Sequence, residues 1–232
     1  MIKAVCFDLF STLIHATYPK EFSELDVVKM PWREYESYSE GAEIYRERAT
    51  GKVTTEEEMM VKIAAALPME LSEEEITRLH AGRDYRMRVA FEQIRDDAVD
   101  MLAALKARGI KIGLISNADL MDKKYWEISR LAPFFDDVIF SCDVGVMKPA
   151  LEIYECSMKR LGVTPDMCLF VGDGGSNEIF GAKRAGMKTV LTEEIHTRAA
   201  EQRAKILEDA DYRIDRFDEI VKIVDEEADY GR

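Results

Sequence analysis

Four short polar clusters in this sequence have residue types that can do chemistry on a small molecule. Their carboxylates can act as nucleophiles or hold a divalent cation, and their ammonium group can neutralise negative charge. Their hydroxyl and amide groups can donate hydrogen bonds to oxygen. Each cluster follows a short apolar run, and the four lie at residues 8–12, 116–117, 148–149 and 172–178.

The apolar runs before these clusters predict strands that are covered on both faces, because they show little alternation of apolar and polar residues. The predicted strands are 2–7, 110–115, 137–142, 167–171 and 188–191, with a weaker one at 212–214. Helical patterns lie between them at 96–108, 150–161 and 177–185, each followed within a residue by glycine, which often ends a helix. This order predicts an α/β fold with a doubly wound, Rossmann-like parallel sheet.

Residues 18–95 interrupt the alternation of strands and helices. They are rich in charge, have helical spacing and contain no convincing strand. Residues 54–58 and 72–75 each place serine or threonine before a run of glutamates, which is typical of a capped helix start. We therefore expect an α/β core of residues 1–17 and 96–232, and a helical cap domain of residues 18–95 over the mouth of the sheet.

Composition excludes several classes of protein. The chain has 232 residues, 47% of them hydrophobic, and a net charge of −13, which argues against nucleic acid and anionic membranes as partners. It has no uncharged apolar run near the ~20 residues that span a bilayer. No pair of its four cysteines has CxxC spacing, and three of them (Cys6, Cys142 and Cys168) lie in predicted strands as small buried hydrophobes. The first residues do not resemble a signal peptide. We expect a cytoplasmic protein that is a monomer or homodimer, with a frayed acidic end that includes residues 225–229.

Ligands of open α/β sheets bind beyond the carboxyl ends of the strands, so the four clusters would meet at one edge. In this order they resemble the haloacid dehalogenase (HAD) superfamily, and the resemblance covers essentially the whole chain. It includes the helical insertion after the first cluster and the closing segment 181–187. The resemblance implies a hydrolase, most simply a phosphatase of small phosphorylated metabolites.

The resemblance also implies a role for each cluster. Asp8 would be the nucleophile, Ser116 would bind the transferring group, and Lys148 would steady both. Asp173 would be the main ligand of Mg²⁺, with Glu178 in the second acidic place. Asp8 and the backbone carbonyl of Phe10 would complete the metal site, Thr12 would support the phosphate loop, and Asn117 would contact the transferring group.

These roles agree with elementary electrostatics. A carboxylate that attacks a phosphate dianion is repelled by it, and a divalent cation with an ammonium group removes this repulsion. The resulting aspartyl-phosphate is then hydrolysed by water, which divides one difficult step into two easier ones.

Position 10 departs from the phosphatase pattern. In phosphatases of this family the residue two after the nucleophile is a second aspartate, which protonates the leaving group and then activates water. Phe10 can do neither, although its backbone carbonyl remains available to a metal. General acid–base catalysis contributes roughly 10²–10⁴-fold, so its loss matters most for poor leaving groups. Ser11 also replaces the glycine that is usual at the next position.

Phe10 keeps two alternatives open. Dehalogenases of the family also lack the second aspartate and usually have tyrosine there, so the protein could be a 2-haloacid dehalogenase-like hydrolase. They need no metal, however, and typically have serine where this chain has Asp173, which favours a phosphate substrate. The protein could also be a catalytically weak metabolite-binding member of the family, although such a role would need neither Asp8 nor Lys148.

Two further side chains could supply an acid or select the substrate. His15 lies where the chain leaves the predicted sheet, and histidine titrates near neutral pH, although an ordinary surface histidine fits this position equally. Arg33 lies near Tyr18, Tyr35 and Tyr38, and could grip a carboxylate or phosphate or remain a solvated charge. The sequence leaves both interpretations open.

Overall fold

A computed structural model describes residues 1–229 of the chain and has a six-stranded, all-parallel sheet at its centre. All six predicted strands are confirmed, with ends that differ by at most two residues. They are β1 (Ala4–Phe7), β2 (Lys111–Ser116), β3 (Asp137–Phe140), β4 (Cys168–Gly172), β5 (Lys188–Thr192) and β6 (Tyr212–Ile214), in the spatial order β3-β2-β1-β4-β5-β6.

The central strand β1 places the first polar cluster at the middle of the sheet. Phe7, its last residue, pairs with Leu114 of β2 on one side and Val171 of β4 on the other. The chain adds strands on one side of β1 and then on the other, so the connections diverge between β1 and β4. Such a switch point opens a crevice at the carboxyl ends of the strands, and Asp8 and Asp173 directly follow these two strands.

The insertion between β1 and β2 is helical, as predicted. Ser72 caps its longest helix with a capping box to Glu75, and Thr55 caps the preceding helix through the backbone N–H of Glu58. A separate apolar cluster, which includes Tyr35 and Met59, lies between these helices. The helices are α1 (Leu25–Val28), α2 (Trp32–Ser39), α3 (Ala42–Ala49), α4 (Glu56–Ala66) and α5 (Glu73–Glu92).

Helices cover both faces of the sheet, which is why its strands are almost wholly apolar. Val5 and Phe7 of β1 face one core, which also contains residues of the helices Asp96–Ala107 and Asp218–Asp229. Ala4 and Cys6 face the opposite core. The helices of the core are α6 (Asp96–Ala107), α7 (Ser141–Val144), α8 (Leu151–Leu161), α9 (Glu178–Arg184), α10 (Ala200–Leu207) and α11 (Asp218–Asp229). Within residues 1–229, none of the helices combines the length and apolarity that a membrane crossing requires.

Two local predictions are wrong. Cys142 does not lie in a strand, because β3 ends at Phe140 and the chain turns at once into α7, which leaves Cys142 half-buried. The acidic segment 225–229, which we expected to be frayed, continues α11, whose apolar face includes Ile223 and Val224 and packs on the core. The predicted core boundary at residue 232 extends three residues beyond the described part of the chain.

Candidate active site

Three carboxylates meet at the carboxyl edge of β1 and β4. One oxygen or more from each of Asp8, Asp173 and Glu178 lies within 4.8 Å of the others, and all three side chains are buried. Asp8 and Asp173 each follow a central strand directly, whereas Glu178 begins α9 after a tight loop. The predicted nucleophile and the predicted acidic metal ligands therefore converge.

Lys148 lies between two of these carboxylates. Its ammonium nitrogen donates to Oδ1 of Asp8 and to Oε2 of Glu178, each at 2.5 Å. Burial favours the neutral amine, but the two carboxylates outweigh it and raise the pKa of Lys148. A charged ammonium group therefore stands beside Asp8, the predicted nucleophile.

Burial and mutual repulsion raise the pKa values of two of these carboxylates. Burial raises the pKa of Asp8, with repulsion from Asp173 adding to it and the attraction of Lys148 opposing it. Burial and repulsion from Asp8 likewise hold the pKa of Glu178 well above its ordinary value. Excess negative charge collected in a buried place is the condition that favours binding of a cation.

Thr12 joins the two halves of this edge. Its hydroxyl donates to Oδ2 of Asp8 at 3.0 Å and accepts from the backbone N–H of Asp173 at 3.1 Å. Thr12 thus fixes Asp8 relative to the loop after β4. We predicted that Thr12 supports the phosphate loop. In the structure its hydroxyl makes hydrogen bonds to other groups of the protein.

In the second cluster, Asn117 holds the backbone of Lys148. The Asn117 side chain accepts from the backbone N–H of Lys148 at 2.8 Å and donates to its backbone carbonyl at 3.2 Å. Asn117 still borders the cavity described below. Ser116 is fully buried, its hydroxyl donates to the backbone carbonyl of Asn117 at 3.4 Å, and it is absent from the cavity wall among residues 1–229.

The turn after β1 is unusual for its residue types. Ser11 has a φ of 61°, in the left-handed region that glycine adopts most easily, and its backbone N–H donates to the carbonyl of Ile14. The position that is usually glycine therefore keeps the backbone geometry expected of glycine. Phe10 borders the cavity next to this turn, and its side chain packs against the main core.

A cavity of about 590 Å³ opens over the carboxylates. Its floor includes Asp8, Phe10, Lys148, Asp173 and Glu178, and its opposite wall comes from the helical insertion. The insertion contributes Trp32, Glu36, Glu40, Tyr45, Arg83 and Arg86, and loops of the core contribute His15, Asp122, His196 and Arg198.

The structure separates the two predicted substrate contacts. His15 lies on the cavity wall, where burial and the nearby His196 lower its pKa. Arg33 does not line the cavity: it lies on the exposed side of α2, with its guanidinium carbon 5.1 Å from the centre of the Trp32 ring. The hypothesis that Arg33 grips the substrate stays a prediction, because Arg33 is exposed and does not itself line the cavity, although Trp32, on which it stacks, does.

Buried arginines of α5 take the place on the cavity wall that we assigned to Arg33. Arg83 donates to Asp119 at 3.0 Å and to Asp122 at 2.9 Å, both in the loop after β2. Arg86 donates to Glu24 at 3.0 Å and stacks on the ring of Tyr18. The contacts of Arg83 attach the insertion to the core, whereas Glu24 and Tyr18, the partners of Arg86, belong to the insertion itself.

Sequence reasoning missed these arginines, although a signal exists. Buried residues at 79, 83, 86 and 90 form one stripe along α5, and arginine occupies its two middle positions. An arginine on an otherwise apolar stripe indicates a buried charge with a partner. His196 and Arg198, from the segment after β5, were also missed, and that segment has no distinctive pattern.

The residues present fit a divalent metal ion. The three carboxylates, when ionised, carry three negative charges against the two positive charges of Lys148 and Arg198, which leaves the site with a net negative charge. Carboxylate oxygens are also the ligands that Mg²⁺ prefers. Glu178 fits an outer position better, since Oε2 accepts from Lys148 and Oε1 accepts from the backbone N–H of Gly174 at 3.0 Å.

Comparison with known proteins agrees with this geometry. Residues 2–186 match the family model described as haloacid dehalogenase-like hydrolase. The chain is 28% identical over 239 residues to the glyceraldehyde 3-phosphate phosphatase of Methanopyrus kandleri, an alignment that covers 98% of this chain and 99% of that protein. It is 36% identical over 146 residues to the protein of the same name from Methanocaldococcus jannaschii, where the alignment covers 60% of each.

The fold is also found in a solved structure. The L-2-haloacid dehalogenase from Xanthobacter autotrophicus superposes with a TM-score of 0.66, covering 97% of this chain and 98% of the other. The two sequences are 21% identical, so this likeness concerns the fold alone.

Proposed function

The chain belongs to the haloacid dehalogenase-like hydrolase family, and we propose that it is a Mg²⁺-dependent phosphohydrolase of a small phosphorylated metabolite. The observation that carries the proposal is the contact of Lys148 with Asp8 beside the carboxylates of Asp173 and Glu178. The phosphatase names of its relatives support the same reaction class. We also propose that the helical insertion acts as the cap domain of this site.

The side chains of the floor divide the work of the first step. An oxygen of Asp8 attacks phosphorus and forms the new P–O bond, while the bond to the leaving oxygen breaks and that oxygen keeps the electron pair. Lys148 offsets the negative charge gathered between the nucleophile and the phosphoryl oxygens. Asp8, Asp173 and the Phe10 carbonyl would hold Mg²⁺, which supplies further charge neutralisation when bound.

The second step releases phosphate. Water attacks the phosphorus of the aspartyl-phosphate, the bond from phosphorus to the Asp8 oxygen breaks, and the carboxylate is regenerated. Thr12 and Lys148 hold Asp8 in place through both steps, because each contacts a different oxygen of its carboxylate. Asn117 positions Lys148 through two hydrogen bonds to its backbone.

Dehalogenation of 2-haloacids is the second candidate, and Phe10 is the observation that favours it. Phe10 gives the leaving group no proton, and halide needs none. The carboxylates of Asp173 and Glu178 argue for phosphate, since a carbon centre that loses halide gains nothing from a cation held beside it.

A hydrolysis panel tests the proposal. Aryl, acyl and sugar phosphates and 2-haloacids are assayed with Mg²⁺ and with excess EDTA. We expect phosphate hydrolysis that EDTA abolishes and that Asp8→Asn and Asp173→Ala each remove. Asp166→Asn is the control, because this exposed carboxylate precedes β4 and so lies at the opposite edge of the sheet. Full activity in EDTA would reject the metal and place dehalogenation first.

A further inference from the structure

Arg198 holds the carboxylate of Asp173 from outside the four polar clusters. It lies in the segment between β5 and α10, and its side chain is about three-quarters buried. Its Nε donates to the backbone carbonyl of Asp173 at 2.7 Å, and its Nη2 donates to Oδ2 of the same residue at 2.5 Å. One guanidinium thus grips both the main chain and the side chain of Asp173.

These bonds complete the fixation of Asp173. Its other carboxylate oxygen accepts from the backbone N–H of Gly175 at 2.9 Å, and its own backbone N–H donates to Thr12 at 3.1 Å. Asp173 is therefore restrained at four atoms. Thr12 and Gly175 belong to the loops after the central strands β1 and β4. Among the described residues, Arg198 is the restraint on Asp173 that comes from outside these two loops.

The backbone around Gly175 leaves room for this arginine. A Cβ atom on Gly175 would lie 3.0 Å from Nη2 of Arg198 and 3.1 Å from Oδ1 of Asp173. Both distances are tighter than an ordinary contact, so a side chain here would press on the bonded pair. The absence of a side chain at position 175 is thus matched to the arginine that fills the space.

The loop that carries Asp173 also needs an external support. Ser176 and Asn177 have φ values of 52° and 54°, a left-handed conformation that costs energy for residues other than glycine. Such a conformation persists only when surrounding contacts impose it. The bond from Arg198 to the Asp173 carbonyl is one of these contacts at the start of the loop.

We propose that Arg198 is a positioning residue, which orients the Asp173 carboxylate for the metal ion and joins the segment after β5 to the metal site. The inference rests on the proposed metal site. Arg198 has two opposite effects on a cation: it repels it, and it pre-organises its ligand. We expect the second effect to dominate, because Arg198 binds both the backbone carbonyl and the carboxylate of Asp173 and so holds this ligand in one orientation.

Direct metal binding tests this role independently of turnover. Mg²⁺ affinity is measured by calorimetry, and Mn²⁺ affinity by the electron paramagnetic resonance of the free ion. We expect Arg198→Met to weaken both by roughly 10–100-fold, as for other residues that orient a metal ligand. Arg198→Lys should not restore the affinity, because one ammonium group cannot reproduce the paired contacts to carbonyl and carboxylate.

Arg203→Met is the matched control. Arg203 lies in the neighbouring α10 and pairs with Glu193 at 3.4 Å, so its loss removes a cation from the same region without touching Asp173. Its metal affinity should equal that of the wild type. If Arg198→Met does not fold, Gly175→Ala replaces it, with the same loss expected while the arginine remains.

The outcomes separate the inference from the proposed function. Failure of the wild-type protein to bind either ion overturns the metal site and the inference together. Binding by the wild type with unchanged or tighter binding by Arg198→Met overturns the role of Arg198 alone.

Discussion

Gly172 and Glu178 are in such close contact that position 172 admits no side chain. A Cβ atom on Gly172 would lie 2.2 Å from Oε1 of Glu178. The same Glu178 oxygen accepts from the backbone N–H of Gly174, and the other carboxylate oxygen accepts from Lys148. The last residue of β4 therefore makes the place in which Glu178 and Lys148 meet.

Gly172→Ala should displace the Glu178 carboxylate and release Lys148 from one of its two partners. We expect a large loss of kcat together with a destabilisation of about 1–3 kcal/mol, the usual range for overpacking. Gly113→Ala is the control, because its Cβ would press on Cys6 and Leu161 in the core of the same sheet, away from the carboxylates. That variant should lose stability and keep its activity. Equal activity of the two variants would contradict the role of Glu178.

Phe10 should make the rate depend steeply on the leaving group. With no acid beside the leaving oxygen, aryl and acyl phosphates should react much faster than alkyl and sugar phosphates. Phe10→Asp should raise the rate of hydrolysis of the slow alkyl esters by up to roughly 10²-fold. The dependence of the rate on leaving-group pKa should then become less steep. The measurement is kcat/KM for a matched series of esters with both proteins.

His15 is the test of an alternative proton donor at the same cavity. If the wild-type protein cleaves alkyl and aryl esters equally well, the prediction for Phe10 fails. His15→Ala then identifies the reason: a selective loss on alkyl esters would show that His15 supplies the proton. A uniform effect would show that a step other than chemistry limits the rate.

Arg83→Met should destabilise the protein by about 3–5 kcal/mol, because removal of one partner leaves buried charges uncompensated. The uncompensated charge would be that of Asp122, because Asp119 also pairs with Arg48 at 3.5 Å. Arg88→Met, on the solvent side of the same helix and paired only with Glu92 among the described residues, should change stability by less than about 1 kcal/mol. Urea unfolding of both variants measures the difference.

Asp122 should make stability depend on pH. Burial, with repulsion from Asp119 second, raises the pKa of Asp122 from its ordinary 3.8 to about 6. A carboxyl group with a raised pKa contributes stability that is fully present below 3.8 and is lost as the pH rises through about 6. Asp119 has a lowered pKa, so its own contribution is lost only in more acidic solution.

Asp122→Asn tests this dependence when its free energy of unfolding is compared with that of the wild type at several pH values. The variant should be less stable overall, because an amide nitrogen replaces one of the oxygens that accept from Arg83 and from the Asp119 backbone. Its free energy of unfolding, relative to the wild type, should nevertheless improve between about pH 5 and about pH 7. A relative stability that stays constant over this interval would contradict the raised pKa.

Local patterns in the sequence determined which elements form and where the reactive residues stand on them. Apolar runs marked all six strands, and Asp8 and Asp173 could be placed at strand ends because each directly follows such a run. The helical insertion was predictable for the same reason, since capping residues and helical spacing act over a few neighbouring positions. These signals depend on short-range geometry, which a sequence displays directly.

The tertiary structure alone decided which distant segments meet. Nothing near Arg198 in the sequence indicates that it binds Asp173, 25 positions away, and nothing near Arg83 indicates its contact with Asp119. Asn117, which borders the cavity as expected, also holds the backbone of Lys148, and no local pattern indicated this contact. Such contacts follow from the order of strands in the sheet and the docking of the insertion. Both are set by packing of whole elements, so no local pattern encodes them.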